Sequence, residues 1–368
     1  MCVTISAERE AYDKKTKTLL PFNRAPDAIM TPMPNNVIGL DIGGANLKAA
    51  SADGSARSMP FELWKYPDRL GVALRELLSD GAPDRLAVTM TGELCDCYRT
   101  KRDGVDRILA EVELAFPGVP IDVWSTAGIF VAPDEARRDY LKVAASNWHA
   151  LATFAGEKFP NNCALMIDVG TTTSDIIPIR EGRPVPLGRT DFERLRAREL
   201  VYTGIKRTPI CALAIAGLMA ELFATTQDVY LRLGLAAEDP DDHLTADGRP
   251  ATAENAHARL SRMLGGDSEI TPLEETDRLA HEVFQRQRTL LVEAIVVVTA
   301  RLSEPPQAVL LFGSGEFLAR AAWGDFLELQ EKKRNPIAPE VISLADLLGP
   351  TISAAACAYA VAVLRARI

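Results

Sequence analysis

Two aspartates, Asp41 and Asp168, each end a run of aliphatic residues and each precede a glycine-bearing turn. They lie in VIGLDIGGANLKAA (Val37 to Ala50) and ALMIDVGTTTSDIIPI (Ala164 to Ile179). Carboxylates at matching positions of two such segments can share a hydrated Mg²⁺, an ion that keeps water and takes a few carboxylates plus phosphate oxygens. The turns supply the other half of that chemistry, because successive backbone N–H groups at a tip of small residues converge on an anion. Gly43, Gly44 and Asn46 in the first turn are therefore candidate diphosphate contacts. So are Gly170, Thr171, Thr172 and Thr173 in the second, where hydroxyls add donors. Lys48, on the segment leaving the first turn, can reach back to a phosphate as a point charge. A third glycine turn, LFGSGEF (Leu311 to Phe317), follows an apolar run and opens a helical pattern, so Gly313, Ser314 and Gly315 can bind a further phosphate.

These turns need strands to carry them. The residues before each Asp are β-branched and aliphatic, as buried strands require, and Gly43, Gly44 and Gly170 are expected to supply the positive φ of a tight hairpin. After each hairpin, strand and helix patterns alternate. Asp68 to Ser79 is amphipathic, Arg85 to Thr91 reads as a strand, Asp106 to Phe116 as a helix and Ile121 to Trp124 as a strand. Further on, Asp277 to Leu302 reads as a long helix and Ala308 to Phe312 as a strand. The duplicated grammar predicts mixed sheets with helices on both faces. The expected organisation is a poorly ordered extension over 1–35, a first lobe over 36–160 and a second over 161–368. Pro160-Asn161-Asn162 breaks the chain between the lobes, and a loop and helical insertion lies near 235–265. Two DxG hairpins followed by a distal FGSG turn resemble the phosphate and adenosine motifs of the actin, heat-shock-chaperone and sugar-kinase superfamily. That resemblance implies a two-lobed, actin-like/acetate- and sugar-kinase-like α/β fold built from duplicated ribonuclease-H-like domains.

Composition narrows the partners. A chain of 368 residues suits two cores, and a net charge of −9 argues against a nucleic-acid or anionic-membrane surface. Six cysteines without framework spacing point to reduced thiols and a cytoplasmic setting. The stretch before Asn35 has no apolar core of a signal peptide. Leu347 to Leu364 is uncharged and nearly long enough to cross a bilayer, but Gly349-Pro350 interrupts it, which predicts a buried helix instead. Cys95-Asp96-Cys97 lacks a second ligand pair for a metal, and the four histidines have no partner motif. Trp124, Phe130 and Trp148 fit ordinary core as well as an aromatic pocket.

Four further segments carry a closer resemblance: VTMTGELCDCYRTKRDGV (Val88 to Val105), DVGTTTSDIIPI (Asp168 to Ile179), ELVYTGIKRTP (Glu199 to Pro209) and DGRPATAENAHARLSRML (Asp247 to Leu264). They resemble the hydantoinase/oxoprolinase-like proteins linked to tetrahydromethanopterin one-carbon transfer, and the likeness covers nearly everything from Val37 onward. The resemblance implies an ether-forming transferase of methanofuran or methylofuran assembly. Its donor would be an aminomethyl-furanylmethyl diphosphate and its acceptor the phenol of a γ-glutamyl tyramine or tyrosine. Mg²⁺ would serve as cofactor and ATP would not be required. A phenol of pKa roughly 10 needs help to attack. Glu93 is the first candidate base and Asp175 the second. Tyr202, Thr203, Lys206 and Arg207 are candidate contacts to the acceptor or the diphosphate. The same hairpins would also suit an ATP-dependent kinase, an amide hydrolase or an ATP-gated regulator. A homo-oligomer is compatible with the sequence.

Overall fold

The computed structural model describes residues 36–79, 81, 83–333 and 337–368; the expected extension over 1–35 lies outside the described residues. Two sheets organise the chain. The first holds β1 (Val37–Ile42), β2 (Asn46–Ser51), β3 (Ala56–Pro60), β4 (Arg85–Met90), β5 (Ile121–Ser125) and β6 (Ile129–Val131), in the order β3-β2-β1-β4-β5-β6. The second holds β7 (Cys163–Val169), β8 (Ser174–Arg180), β9 (Arg183–Pro184), β10 (Leu200–Val201), β11 (Ala308–Phe312) and β12 (Glu340–Ser343). Its order is β10-β8-β7-β11-β12, with β9 also paired to β8.

Both sheets follow one plan. An antiparallel hairpin, β1–β2 or β7–β8, occupies the centre. Parallel strands then add on the far side of its first arm, β4 and β5 in one case and β11 and β12 in the other. This repeated order is that of duplicated ribonuclease-H-like domains, the two-lobed actin-like and sugar-kinase-like α/β fold. Strands β7, β8 and β11 are buried almost throughout, as sheets covered on both faces require.

Helices cover those faces. Lys101–Ala115 sets Ile108, Leu109 and Val112 against β1 and β4. The long helix Leu273–Thr299 and Glu316–Lys332 pack the outer face of the second sheet. Between the sheets lies a shared core from the helices Asn147–Gly156 and Ala356–Ala366, which gathers Ala87 and Trp124 from one sheet and Met166, Ile177 and Leu310 from the other. Alanines let Ala356–Ala366 approach β1 closely, and a Cβ on Gly39 would lie 1.9 Å from the Ala358 carbonyl oxygen. Trp124 and Trp148 are buried in this layer and Phe130 packs against it, so they belong to the core.

The apolar C-terminal run divides at Gly349 and again at Ala355 into Leu344–Leu348, Pro350–Ala354 and Ala356–Ala366. Among the described residues no helix is long and apolar enough to cross a membrane. The acidic stretch over 235–250 is pinned down more firmly than a surface loop need be. Asp247 accepts from the fully buried Arg259, which also pairs with Asp228 at 2.7 Å.

Candidate active site

Each hairpin tip is closed by one backbone bond, Gly43 N–H to the Asn46 carbonyl at 3.0 Å and Gly170 N–H to the Thr173 carbonyl at 2.9 Å. The amides of Gly44, Ala45, Thr171 and Thr172 are left without a protein acceptor among the described residues, as an anion nest requires. The glycines are not there for positive φ, contrary to expectation, since none of Gly43, Gly44 and Gly170 adopts it. Space explains the first two: a Cβ on Gly43 would lie 2.9 Å from the Asn46 oxygen, and one on Gly44 2.7 Å from Cys95 Sγ. The positive φ belongs to Gly313, at +85°, where a side chain would also strike Asp168 Oδ1.

Both tips open on one cleft of about 630 Å³. Asp41, Lys48, Asp168 and Asp175 form its floor, and Gly43, Gly44, Asn46, Gly170, Thr171, Thr172, Thr173, Gly313 and Ser314 line it. Strand register puts Lys48 opposite Asp41 and Asp175 opposite Asp168. Lys48 Nζ stands 3.7 Å from Asp41 Oδ2, while Asp41 Oδ1 is buried with no hydrogen-bond partner. Desolvation raises the Asp41 carboxyl above its usual range against the pull of Lys48. Asp168 is pushed up to about 7, by desolvation first and then by the charge of Asp175, with Lys48 opposing. Burial disfavours the Lys48 ammonium, but Asp41, Cys357 and Asp168 outweigh it and raise its pKa.

Asp175 is held by the buried Arg194, whose guanidinium also lies 4.0 Å from the Trp148 ring centroid. Desolvation still leaves the Asp175 carboxyl raised. Arg194 continues to Asp191 at 3.5 Å, and Asp191 meets Lys101 at 2.9 Å. This ion-pair chain ends on Glu93, 3.4 Å from Lys101 Nζ.

Four candidates fall off the lining. Glu93 is 1% exposed in the turn Gly92–Leu94, behind the wall. The helix Lys101–Ala115 packs so closely there that a Cβ on Gly104 would meet the Glu93 backbone at 2.2 Å. Burial raises its pKa to about 6, opposed by Lys101. Thr203 is buried against Thr208 and Gln287. Lys206 Nζ is taken by Asp242 at 2.5 Å, and the amide of Gly315 donates to the Val169 carbonyl. Tyr202 and Arg207 do line the cleft. Arg194, Asp191, Lys101, Trp64 and Cys357 carry no sequence signal of a place at or behind the site. The Thr190–Glu193 capping box marks the helix Asp191–Ala197 that carries two of them, but nothing local says which way that helix faces. Among the described residues no group of three or more His, Cys, Asp or Glu could hold a metal, Cys95 and Cys97 included.

The profile of the family described as Hydantoinase/oxoprolinase matches residues 84–343. The chain belongs to the hydantoinase/oxoprolinase family. Within it, the chain is similar to the (4-{4-[2-(gamma-L-glutamylamino)ethyl]phenoxymethyl}furan-2-yl)methanamine synthase of Methanocaldococcus jannaschii, 33% identical over 337 residues that cover 89% of this chain and 96% of that one. The synthase of the same description from Methanococcus vannielii is 29% identical over 221 residues, 58% of this chain and 95% of that one. Among solved structures, the ROK hexokinase of Thermus thermophilus gives a TM-score of 0.43 at 16% identity, covering 89% of this chain and 97% of that one. The family match spans β4 to β12, so it takes in the second hairpin and the third turn, while the Methanocaldococcus relative extends over most of the chain.

Proposed function

We propose that this protein is an ether-forming transferase of methanofuran or methylofuran assembly. It joins the phenol of a γ-glutamyl tyramine or tyrosine to an aminomethyl-furanylmethyl diphosphate and releases diphosphate. The observation that carries the reading is one cleft in which two amide-bearing hairpin tips flank Asp41, Lys48 and Asp168. The relative from Methanocaldococcus jannaschii, named for a phenoxymethyl-furan product, supports the choice of substrates.

The chemistry fits the groups present. The phenol oxygen bonds to the furfuryl carbon, the carbon–oxygen bond to diphosphate breaks with its electron pair on the leaving oxygen, and the phenolic proton passes to a base. The electron-rich furan eases departure, so the protein must mainly neutralise the leaving group. The free amides of Gly44, Ala45, Thr171 and Thr172 and the Lys48 ammonium do this directly. The carboxylates of Asp41 and Asp168 suit a divalent cation, because one oxygen of Asp41 is buried without a partner and two carboxylates leave room for water and phosphate oxygens. When bound there, Mg²⁺ would add Lewis-acid stabilisation of the leaving diphosphate. Asp175, on the cleft and oriented by Arg194, replaces Glu93 as the carboxylate placed to accept the phenolic proton.

The test is direct. Synthetic donor and acceptor are mixed with the protein and Mg²⁺, and mass spectrometry looks for the ether; absence of product at any metal concentration refutes the reading. Stabilisation by Mg²⁺ with diphosphate, compared with Mg²⁺ and ADP, reads the ligand class by mass action. A shift with ADP alone would favour a nucleotide enzyme.

A further inference from the structure

The floor of the cleft is charged, but its mouth is not built the same way. Trp64 and Leu94 come from the first half of the chain and Tyr202 and Arg207 from the second, and all four line the cleft. Leu94 and Tyr202 are 58% and 65% exposed, large side chains open to solvent with no core to join.

Each wall of this mouth is fastened to a hairpin tip. Phe61 N–H donates to the Ala45 carbonyl and Leu63 N–H to the Gly44 carbonyl, both at 3.0 Å, which sets Trp64 beside the first tip. On the other side, Ile205 N–H donates to Gly170, and the amides of Lys206 and Arg207 both donate to Thr171. Gly204 permits that contact, since a Cβ there would lie 2.5 Å from the Thr172 nitrogen. The two fastened loops meet where the Arg207 guanidinium carbon lies 4.8 Å from the Trp64 ring centroid.

A guanidinium held over an indole ring by cation–π attraction spends none of its N–H donors on that contact, and those donors match the two oxygens of a carboxylate. Arg207 has no carboxylate partner among the described residues, whereas its neighbour Lys206 is already taken by Asp242. We infer that Trp64 and Arg207 form the acceptor subsite: Arg207 binds the carboxylate of the incoming phenol's acyl tail, and Trp64, Leu94 and Tyr202 receive its ring. This rests on the transferase reading above and adds what that reading leaves open, namely which residues recognise the acceptor's carboxylate and ring. The phosphate chemistry has its own donors at the tips, and the aromatic and apolar neighbours of Arg207 suit a ring better than a diphosphate. Because both loops are tied to the tips, an acceptor held here is fixed relative to the leaving group.

The experiment compares the γ-glutamyl phenol with the same phenol acylated by an uncharged butyryl group. Loss of a charge-assisted fork predicts that Arg207→Gln raises the KM for the γ-glutamyl phenol by roughly 10- to 100-fold. The KM for the diphosphate donor and the rate with the butyryl phenol should stay near wild type. Trp64→Ala should raise the acceptor KM as well, and Trp64→Phe should restore most of it. An unchanged acceptor KM in Arg207→Gln, or a raised donor KM instead, overturns the assignment while the transferase reading stands. If the wild type forms no ether, that reading fails. Calorimetric titration with the γ-glutamyl phenol alone then decides the subsite: weaker binding in Arg207→Gln upholds it and equal binding overturns it.

Discussion

Replacing Glu93 by Gln tests the electrostatics behind the cleft wall. Glu93 is buried, and its one charged neighbour at ion-pair distance among the described residues is Lys101, 3.4 Å away. Lys101 also pairs with Asp191 at 2.9 Å, and the negative charge of Asp191 works against ionisation of Glu93. Neither Glu93 oxygen has a further hydrogen-bond partner. Desolvation therefore outweighs attraction and raises the carboxyl from 4.5 to about 6.

A carboxyl whose folded pKa exceeds its unfolded one binds its proton more tightly when folded. Its contribution to stability is full below the unfolded pKa and is lost as pH rises through the folded one. The rise from 4.5 to about 6 amounts to about 2 kcal/mol over the whole window. About 1 kcal/mol of it falls between pH 5 and pH 7.5, where acid unfolding does not intrude. Gln cannot titrate, so the stability of wild type minus that of Glu93→Gln should fall by about 1 kcal/mol between those pH values. Urea unfolding followed by the fluorescence of the four tryptophans measures it. Parallel pH curves would show that Glu93 ionises as if in water. A difference that grows with pH would show Lys101 winning over burial, and either result refutes the account. Ether formation in Glu93→Gln at wild-type rate is also expected, since the side chain does not reach the cleft.

Other perturbations give separate tests. Asp41→Asn and Asp168→Asn should each cut Mg²⁺-dependent turnover by roughly 100-fold or more while circular dichroism stays native; wild-type turnover in both would remove the metal-cleft reading. Gly39→Ala should cost about 1–3 kcal/mol in urea unfolding, because the new methyl meets the Ala358 carbonyl, and an unchanged midpoint would refute that packing. Arg194→Met should destabilise by roughly 3–5 kcal/mol by leaving Asp175 buried and unpaired, with ether formation lost at the same time. Lys206→Ala should leave both KM values unchanged, since its ammonium is held by Asp242 away from the lining.

What could be read from the sequence was local. Asp41 and Asp168 sit at strand ends because an aliphatic run, an acid and a small-residue turn are consecutive, and a hairpin needs nothing from elsewhere. The strands Arg85–Met90, Ile121–Ser125 and Ala308–Phe312 were legible for the same reason. Side-chain direction was not. Glu93 lies three residues from the end of β4, yet a short turn and the press of Gly104 send it behind the wall while Leu94, Cys95 and Asp96 face the cleft. Gly44 answers to Cys95, a partner remote in sequence, so positive φ was the wrong reason to expect glycine there, and Gly39 answers in the same way to the distant Ala358. Lys206 and Arg207 are adjacent in sequence, and only the distant Asp242 separates their roles.

The two halves of the chain are joined very differently at the floor and at the lip of the cleft. Behind the floor, Ala87, Trp124, Trp148, Met166, Ile177 and Leu310 share one dry core, and parting it would expose all of them at roughly 1.5–3 kcal/mol for each large side chain. At the lip, crossing contacts among the described residues include the Lys101–Asp191 pair, whose side chains are 21% and 23% exposed, and the Arg207 guanidinium over the Trp64 ring. Contacts of that kind contribute about 1 kcal/mol or less each. Substrates of this size must enter and leave between the tips, so the lip is where the cleft opens. Raised salt should weaken Lys101–Asp191 by screening and leave the core untouched. Hydrogen exchange should then quicken in the loops over 61–66 and 202–207 with salt, while β1 and β7 stay protected; equal acceleration in the strands would show that the halves part as a whole.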